Sequence, residues 1–380
     1  MELKKTTDGE ANAPCKWQGI FERLQANIRK GVYSSRLPLP SEEAICRQYK
    51  VSRITVKKAM DELRARGLVY RKQGSGTFIT KSAFYEAGRL GLIFPSLSFG
   101  EIFPVMCQAL TRIAQADGFS FIFGDISSPM PNIRAHEACQ VARQFVNQRV
   151  AGVIMQPLAF LKSSDKVTRE IMNLFASAEI PVVLMDRDVD NLPVKYDFIG
   201  IDNLGAGRAL GAYLTSCGAK NIHFLMRPNC ASVIRDRLDG VRSSGCLKSE
   251  KNVITSEPSD VAILKKYFMR KHGRPDAVIC ESDFIAAQLR NTLLSKFKLR
   301  TPEDVMLAGF DDVRCASLMT PPLTTIHQPC NDLALLAYKS LRERIKNPDL
   351  PSRKILLPAP LVVRESTINS AGPNKEIRQS

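Results

Sequence analysis

From Leu90 onward the chain alternates short apolar runs with longer amphipathic stretches, and few folds accommodate that rhythm. The runs are Leu92–Phe94, Phe119–Phe123, Val153–Met155, Val182–Met185, Phe198–Ile201, Ile222–Leu225, Ala277–Cys280 and Val305–Leu307. A continuously apolar strand is covered on both faces, and the segments between such strands are long enough for helices. The pattern therefore predicts βαβ units and parallel sheets flanked by helices. There are too many strands for one comfortable sheet, which predicts two lobes. No internal repeat suggests a solenoid.

The first eighty residues have a different texture. Trp17, Ile20, Phe21, Leu24 and Ile28 recur at helical spacing and leave Arg23, Arg29 and Lys30 outside. After the proline-bearing stretch Val32 to Pro40, Ser41 is a candidate N-cap, with Glu42 and Glu43 in the first turn, where the helix dipole favours anions. Ala44, Ile45 and Tyr49 make that helix apolar on one side. Ser52 caps a further helix whose Val56, Ala59, Met60 and Leu63 face inward and whose Arg53, Thr55, Lys57 and Lys58 face out. Gly67 ends it as a left-handed cap. Leu68–Lys72 and Thr77–Thr80 read as strands joined by a Gly74-Ser75-Gly76 turn. A cationic helix beside a glycine-tipped basic hairpin predicts a winged helix-turn-helix that docks on duplex DNA. Its candidate contacts are Ser41, Ser52, Arg53, Thr55, Lys57 and Lys58, with Arg71, Lys72, Gly74, Ser75, Gly76 and Thr77 from the wing.

Charge supports that partner. The net charge is +16, and residues 1–80 hold 16 Lys and Arg against 8 Asp and Glu, so half the excess sits in about a fifth of the length. Ten cysteines are scattered without a Cys-x-x-Cys pair or Cys/His cluster, so neither zinc nor a disulfide framework is indicated. No metal and no cofactor are expected. The start, Met-Glu-Leu-Lys-Lys-Thr-Thr-Asp, has no apolar signal core, and no run approaches a membrane span. A cytoplasmic protein is the expectation.

The front residues resemble the DNA-binding domain of the GntR family over about 16–80, through Pro40-Ser41-Glu42, Val51-Ser52-Arg53-Ile54-Thr55-Val56 and Gly74-Ser75-Gly76-Thr77-Phe78. The chain departs from the family at Glu43 and Lys57, where arginine is usual, and lysine cannot reproduce the bidentate fork of arginine. The remainder resembles the ligand-binding core of LacI/GalR-type repressors over about 89–368. The matching pieces are Pro181-Val-Val-Leu-Met-Asp186-Arg187, Asp202-Asn203, Arg237-Leu-Asp-Gly240, Pro275-Asp-Ala-Val-Ile, Thr301-Pro-Glu-Asp304, Gly309-Phe-Asp311-Asp312, Pro322-Leu-Thr-Thr-Ile-His-Gln328-Pro329 and Leu361-Val-Val-Arg364. Together they imply α/β architecture: an N-terminal winged helix-turn-helix plus a two-lobed periplasmic-binding-protein-like α/β sensor domain with three crossovers. The first lobe is expected to hold about 90–199 and return near 330–357; the second, about 200–328 and the last strand. Expected boundaries are a disordered tail at 1–15, the reader at 16–80, a linker at 81–88, the sensor at 89–368 and a tail at 369–380.

The resemblance implies an effector in the cleft outside the carboxyl ends of the strands. Asp186 and Asp311 close apolar strands, and their carboxylates suit vicinal hydroxyls. Arg237 is the expected cationic donor; Arg235 shares the task or forms a surface ion pair. Asp125, Gln156 and Ser282 follow strands, each balanced between ligand contact and loop hydrogen bonding. Phe99 and Phe103 stack on a sugar face or pack in the core. Gln328 contacts ligand or braces the hinge. Asp312 is expected to cap the following segment.

Gly205-Ala-Gly207-Arg-Ala-Leu-Gly211 lacks the third glycine of a dinucleotide fingerprint and reads as close helix packing. His136, His223, His272 and His327 are isolated, and His223 lies inside an apolar strand. No Gly-x-Ser-x-Gly elbow or P-loop is present. The expectation is a homodimeric transcription regulator, a repressor by the commoner family mode, bound to a palindromic operator and responsive to a sugar. It is not expected to be an enzyme. The competing classes are a solute-binding protein of transport, an aminotransferase-like fusion and a nucleoid-type DNA binder with a vestigial cleft.

Overall fold

The computed structural model describes residues 16–29, 32–33, 37–80, 88–95, 102–124, 126, 128, 130–159, 164–189, 192 and 194–368. The expected tails and nearly all of the expected linker lie outside the described residues, as do Lys30, Phe99 and Asp125. The chain divides into two compact units between Arg89 and Leu90.

The front unit runs α1 (Lys16–Arg29), α2 (Glu42–Tyr49), α3 (Arg53–Ala65), β1 (Val69–Lys72) and β2 (Gly76–Ile79). Ile20, Phe21, Leu24 and Ile28 of α1 meet Ile45 of α2 and Val56, Ala59, Met60 and Leu63 of α3 in one buried core. Ser41 Oγ accepts from the Ala44 N–H at 3.1 Å and caps α2. Gly67 follows α3 at φ +68°, a conformation that costs other residues more. β1 and β2 pair antiparallel with Lys72 opposite Gly76. The turn is therefore Gln73-Gly74-Ser75, closed by the Ser75 N–H donating to Lys72 O at 3.0 Å. Gly76 opens β2 instead of sitting in the turn. Its φ of +111° and the proximity of Pro38, whose Cβ would lie 3.0 Å from an added Cβ, explain the glycine.

The second unit has two lobes. The first contains β3 (Arg89–Ile93), α4 (Ile102–Ala116), β4 (Ser120–Phe123), α5 (Pro131–Asn147), β5 (Val153–Met155), α6 (Ser164–Ser177), β6 (Val182–Met185) and β7 (Asp197–Ile201). The second contains α7 (Asn203–Ser216), β8 (Ile222–Met226), α8 (Ser232–Ser243), β9 (Val253–Thr255), α9 (Val261–Phe268), β10 (Ala277–Cys280), α10 (Asp283–Thr292), β11 (Met306–Asp311), α11 (Arg314–Leu318) and β12 (Thr324–His327). The chain then returns as α12 (Cys330–Lys346) and β13 (Arg353–Leu357) to the first lobe, and crosses again to lay down β14 (Leu361–Val362). The sheet orders are β13-β7-β6-β5-β3-β4 and β14-β12-β11-β10-β8-β9. Three crossovers join the lobes, as the resemblance implies.

Strands β5, β6, β7 and β10 are buried along their whole length, because helices cover both faces of each sheet. In the second lobe α7 and α8 seal one face, while α9 and α10 belong to the core on the other. An added Cβ at Gly207 would fall 2.1 Å from Arg237 O, and one at Gly240 would fall 2.1 Å from Leu204 O. The glycine-rich segment is thus a helix–helix contact, and it brings the helix bearing Arg237 close against α7. His223 is buried in β8 with its ring edge-on to Tyr267, and burial lowers its pKa.

The returning segment is fastened by Asp197. Its carboxylate accepts from Arg353 at 2.7 Å and from Arg344 and Ser340 of α12. Burial alone would raise this carboxyl, but the bonds from Arg353, Arg344 and Ser340 prevail and hold it below its ordinary range. Among the described residues no helix is long and apolar enough to cross a membrane.

Candidate functional site

The front unit presents a cationic helix whose first turn is free of acidic residues. Ser52 caps it, accepting from the Thr55 N–H at 3.4 Å and sharing a hydrogen bond with Thr55 Oγ1 at 2.9 Å. Arg53 extends outward with its side chain 86% exposed, its nearest acid being Glu42 at 4.0 Å. Lys57 is exposed too. Lys58 is also exposed, and its Nζ lies 4.8 Å from the centre of the Trp17 ring, linking α3 to α1. On the wing, Arg71, Lys72, Gly74 and Ser75 are exposed and Thr77 is half-buried. The Leu39 N–H donates to Thr77 O at 2.7 Å, so the loop before α2 braces the hairpin.

In the second unit, parallel pairing sets the carboxyl ends of successive strands side by side. Gln156 follows β5, Asp186 and Arg187 follow β6, Arg227 follows β8, Glu281 follows β10, and Asp311 ends β11. Arg237 reaches them from α8, and Gln328 from the end of β12. Arg237 is buried. Its Nε donates to Asn203 at 2.8 Å, Nη1 to Glu281 O at 2.7 Å and Nη2 to Asp311 at 3.2 Å. Its guanidinium also lies 4.6 Å from the centre of the Phe310 ring. Gln328 Nε2 donates to the same Asp311 oxygen at 2.7 Å, and the Gln328 N–H donates to Asp311 O. Gln328 is therefore a brace of Asp311 at the crossover.

Asp311 sits at φ +113°, well outside the ordinary left-handed region, and Asp186 at φ +66°. Such conformations persist where the surroundings overdetermine them. At Asp311 the strand pairing, Gln328 and Arg237 do so. Burial pushes the Asp311 carboxyl up; Arg237 and Gln328 draw it back, the Asp186 charge adds to the rise, and the result is about 6. Asp186 and Asp311 stand at the carboxyl ends of strands in the first and second lobes respectively.

Gln156 is fully buried, and its Nε2 donates to Asp186 at 2.9 Å. Because the carboxylate requires a donor, the amide orientation is set, and Oε1 is left without a hydrogen-bond partner among the described residues. Among those residues three guanidinium–carboxylate pairs stand at or beside the strand ends: Arg187–Asp186 at 3.4 Å, Arg227–Glu281 at 2.5 Å and Arg237–Asp311 at 3.2 Å. The pairs balance in charge and offer donors and acceptors together, as a polyhydroxylated ligand needs.

Other expected contacts lie elsewhere. Ser282 Oγ accepts from the Ile285 N–H at 3.4 Å and caps α10, the local hydrogen bond that was one of its two expected roles. Phe103 is 4% exposed and packs on Phe94 at 5.5 Å between ring centres, so it belongs to the core. Arg235 is exposed and donates to Cys230 O at 3.4 Å, apart from the Arg237 cluster. Asp312 does not cap the next segment. The helix that follows has no side-chain cap; Asp283 accepts from the Val313 N–H just before it at 3.0 Å, while Asp312 pairs with Arg364 at 2.6 Å and His327 at 2.8 Å. Phe99 and Asp125 lie outside the described residues.

Sequence reasoning passed over Arg227, Glu281, Asn203 and Asp283. The first two follow apolar runs, the same signal that selected Asp311, and Glu281 immediately precedes Ser282. Asp283 carried no signal. It is buried, bonded to Thr325 at 2.5 Å, and burial together with the Asp311 charge keeps its carboxyl well above the usual range.

Known proteins share both parts. A model of bacterial regulatory proteins of the gntR family matches residues 16–79, and a periplasmic binding protein-like domain matches residues 212–367. The arabinose metabolism transcriptional repressor of Halalkalibacterium halodurans is 26% identical over 375 residues, covering 93% of this chain and 96% of that protein. The ribose operon repressor of the same organism is 23% identical over 303 residues, covering 78% and 85%. Among solved structures, a transcriptional regulator CelR–cellobiose complex superposes with a TM-score of 0.62 at 21% identity, covering 83% of this chain and 92% of that one.

Proposed function

We propose that this chain, a GntR-family winged helix-turn-helix fused to a LacI/GalR-type ligand-binding domain, is a cytoplasmic transcription repressor whose hold on its operator is set by a neutral sugar. The observation that carries the proposal is the Arg237–Asp311–Gln328 cluster facing Gln156 and Asp186 at the strand ends of both lobes. A sugar hydroxyl donating to Asp311 and accepting from Arg237 would exchange their mutual bond for bonds of equal kind. Another hydroxyl would satisfy Gln156 Oε1. Each arginine of the three pairs has its own carboxylate, so the site has little surplus cation for a phosphate ester. The arabinose and ribose repressors among its relatives, and the cellobiose complex among its structural neighbours, support a sugar of this class.

The DNA contacts are assigned to Arg53, Thr55 and Lys57 of α3 in the major groove, with Arg71, Lys72 and the Gly74–Gly76 backbone at the wing. Ser41 and Ser52 serve by capping, and Lys58 serves mainly by holding α1. A homodimer would place two such helices on a palindromic operator. The protein is read as a regulator and not as an enzyme. A thermal-shift panel of neutral mono- and disaccharides beside their phosphate esters tests the effector class. A neutral sugar at about a hundredfold excess over its Kd stabilises by about 2.7 kcal/mol. Stabilisation by the esters alone would overturn the assignment.

A further inference from the structure

Ile54 is the anomaly of the cationic helix. It is 82% exposed in the first turn of α3, while Val56, Ala59, Met60 and Leu63 of the same helix are buried. Nothing local favours it there. A β-branched residue is a mediocre helix former, and the core lies on the opposite side. One turn on, at i+3 and i+4, its neighbours are Lys57 and Lys58, and the exposed Arg53 precedes it. Among the adjacent polar groups, Ser52 caps the helix and shares a hydrogen bond with Thr55 at 2.9 Å, and Lys58 lies over Trp17, while Ile54 is 82% exposed. The residue offered most freely beside the cations is therefore an apolar one. In the major groove the apolar group a base pair presents is the thymine C5-methyl.

We infer that Ile54 is a specificity-determining residue that packs on a thymine methyl in each half-site. The inference rests on the duplex-binding reading and deepens it. Lysine and arginine contacts to phosphate supply affinity without reading sequence, so a methyl contact adds selection at one base pair.

The test begins with selection of an operator from random duplexes by the full-length protein. Each thymine of that operator is then replaced singly by deoxyuridine, which removes only the methyl. One thymine per half-site should weaken wild-type binding about fourfold when replaced, the effect of withdrawing one buried methyl. Ile54→Ala should bind the thymine operator about fourfold more weakly per half-site and no longer distinguish thymine from uracil at that position. Because the side chain is exposed, the substitution leaves the core intact, and an unchanged melting temperature would show this. Wild-type binding indifferent to every replacement, or Ile54→Ala keeping the full sensitivity, overturns the inference while operator binding stands. Absence of any duplex binding removes the inference and the DNA-binding reading together.

Discussion

Arg237 donates to Asp311 across 3.2 Å, joining a helix to a strand end that lies 74 residues further along the chain. Because the arginine is buried and the aspartate nearly so, the pair is a single electrostatic unit. Arg237→Met leaves the carboxylate without its cation and should destabilise the second unit by about 3 kcal/mol, read from urea midpoints. Arg237→Met with Asp311→Leu should recover part of that loss. Equal loss in single and double variants would show that the pair is not coupled.

Asp311 titrates at about 6, above the value near 4 of an unfolded aspartate, with burial as the leading cause. The folded state then binds the proton more tightly between those values. Its contribution to stability is full below the unfolded pKa and declines as pH rises through about 6. Asp283, also raised by burial, acts with the same sign. A hydroxyl donating to Asp311 needs the ionised form, so sugar affinity should rise up to about pH 6 and level off above it. Calorimetric titration across that range checks this, and Asp311→Asn should flatten the profile. A wild-type profile that is already flat would remove Asp311 from the site.

Gly207 lets α7 and α8 touch along their backbones, and α8 carries Arg237. Gly207→Ala would force the helices apart, costing about 1–3 kcal/mol. It should also weaken the sugar, because Arg237 moves away from Asp311. A variant with reduced melting temperature but unchanged sugar affinity would separate the two effects and contradict the coupling.

Much of this was legible in the sequence, for identifiable reasons. Apolar runs such as Val182–Met185 are buried on both faces, so hydrophobicity alone located them. Val253–Thr255 and Arg353–Leu357 were not among the apolar runs because both are edge strands, only partly buried, and carry a weaker apolar signal than the central strands. Asp311 and Arg237 were readable from strand ends and motif. At Ser282 a cap and a ligand contact look alike until the helix start is known. The Asp283–Val313 bond and the Lys58–Trp17 contact connect residues 30 and 41 positions apart, which no local pattern reports.

Lys57 and Lys58 are neighbours with different surroundings, and their substitutions should differ. Lys57→Ala should reduce the slope of log K against log salt by about one, the loss of one phosphate contact. Lys58→Ala should change the slope less and cost the front unit about 0.5–1 kcal/mol through its Trp17 contact. Identical slope changes in the two variants would place both lysines on phosphate.

The most direct measurement is operator affinity of the full-length protein across a salt series, with and without the stabilising sugar, for the wild type and Asp311→Ala. Log K should fall linearly with log salt in both proteins, and saturating sugar should shift the wild-type affinity by about 5- to 150-fold while leaving Asp311→Ala unmoved. Binding indifferent to salt, or a sugar shift that survives in Asp311→Ala, would contradict a basic reader governed by a charge-balanced sugar site.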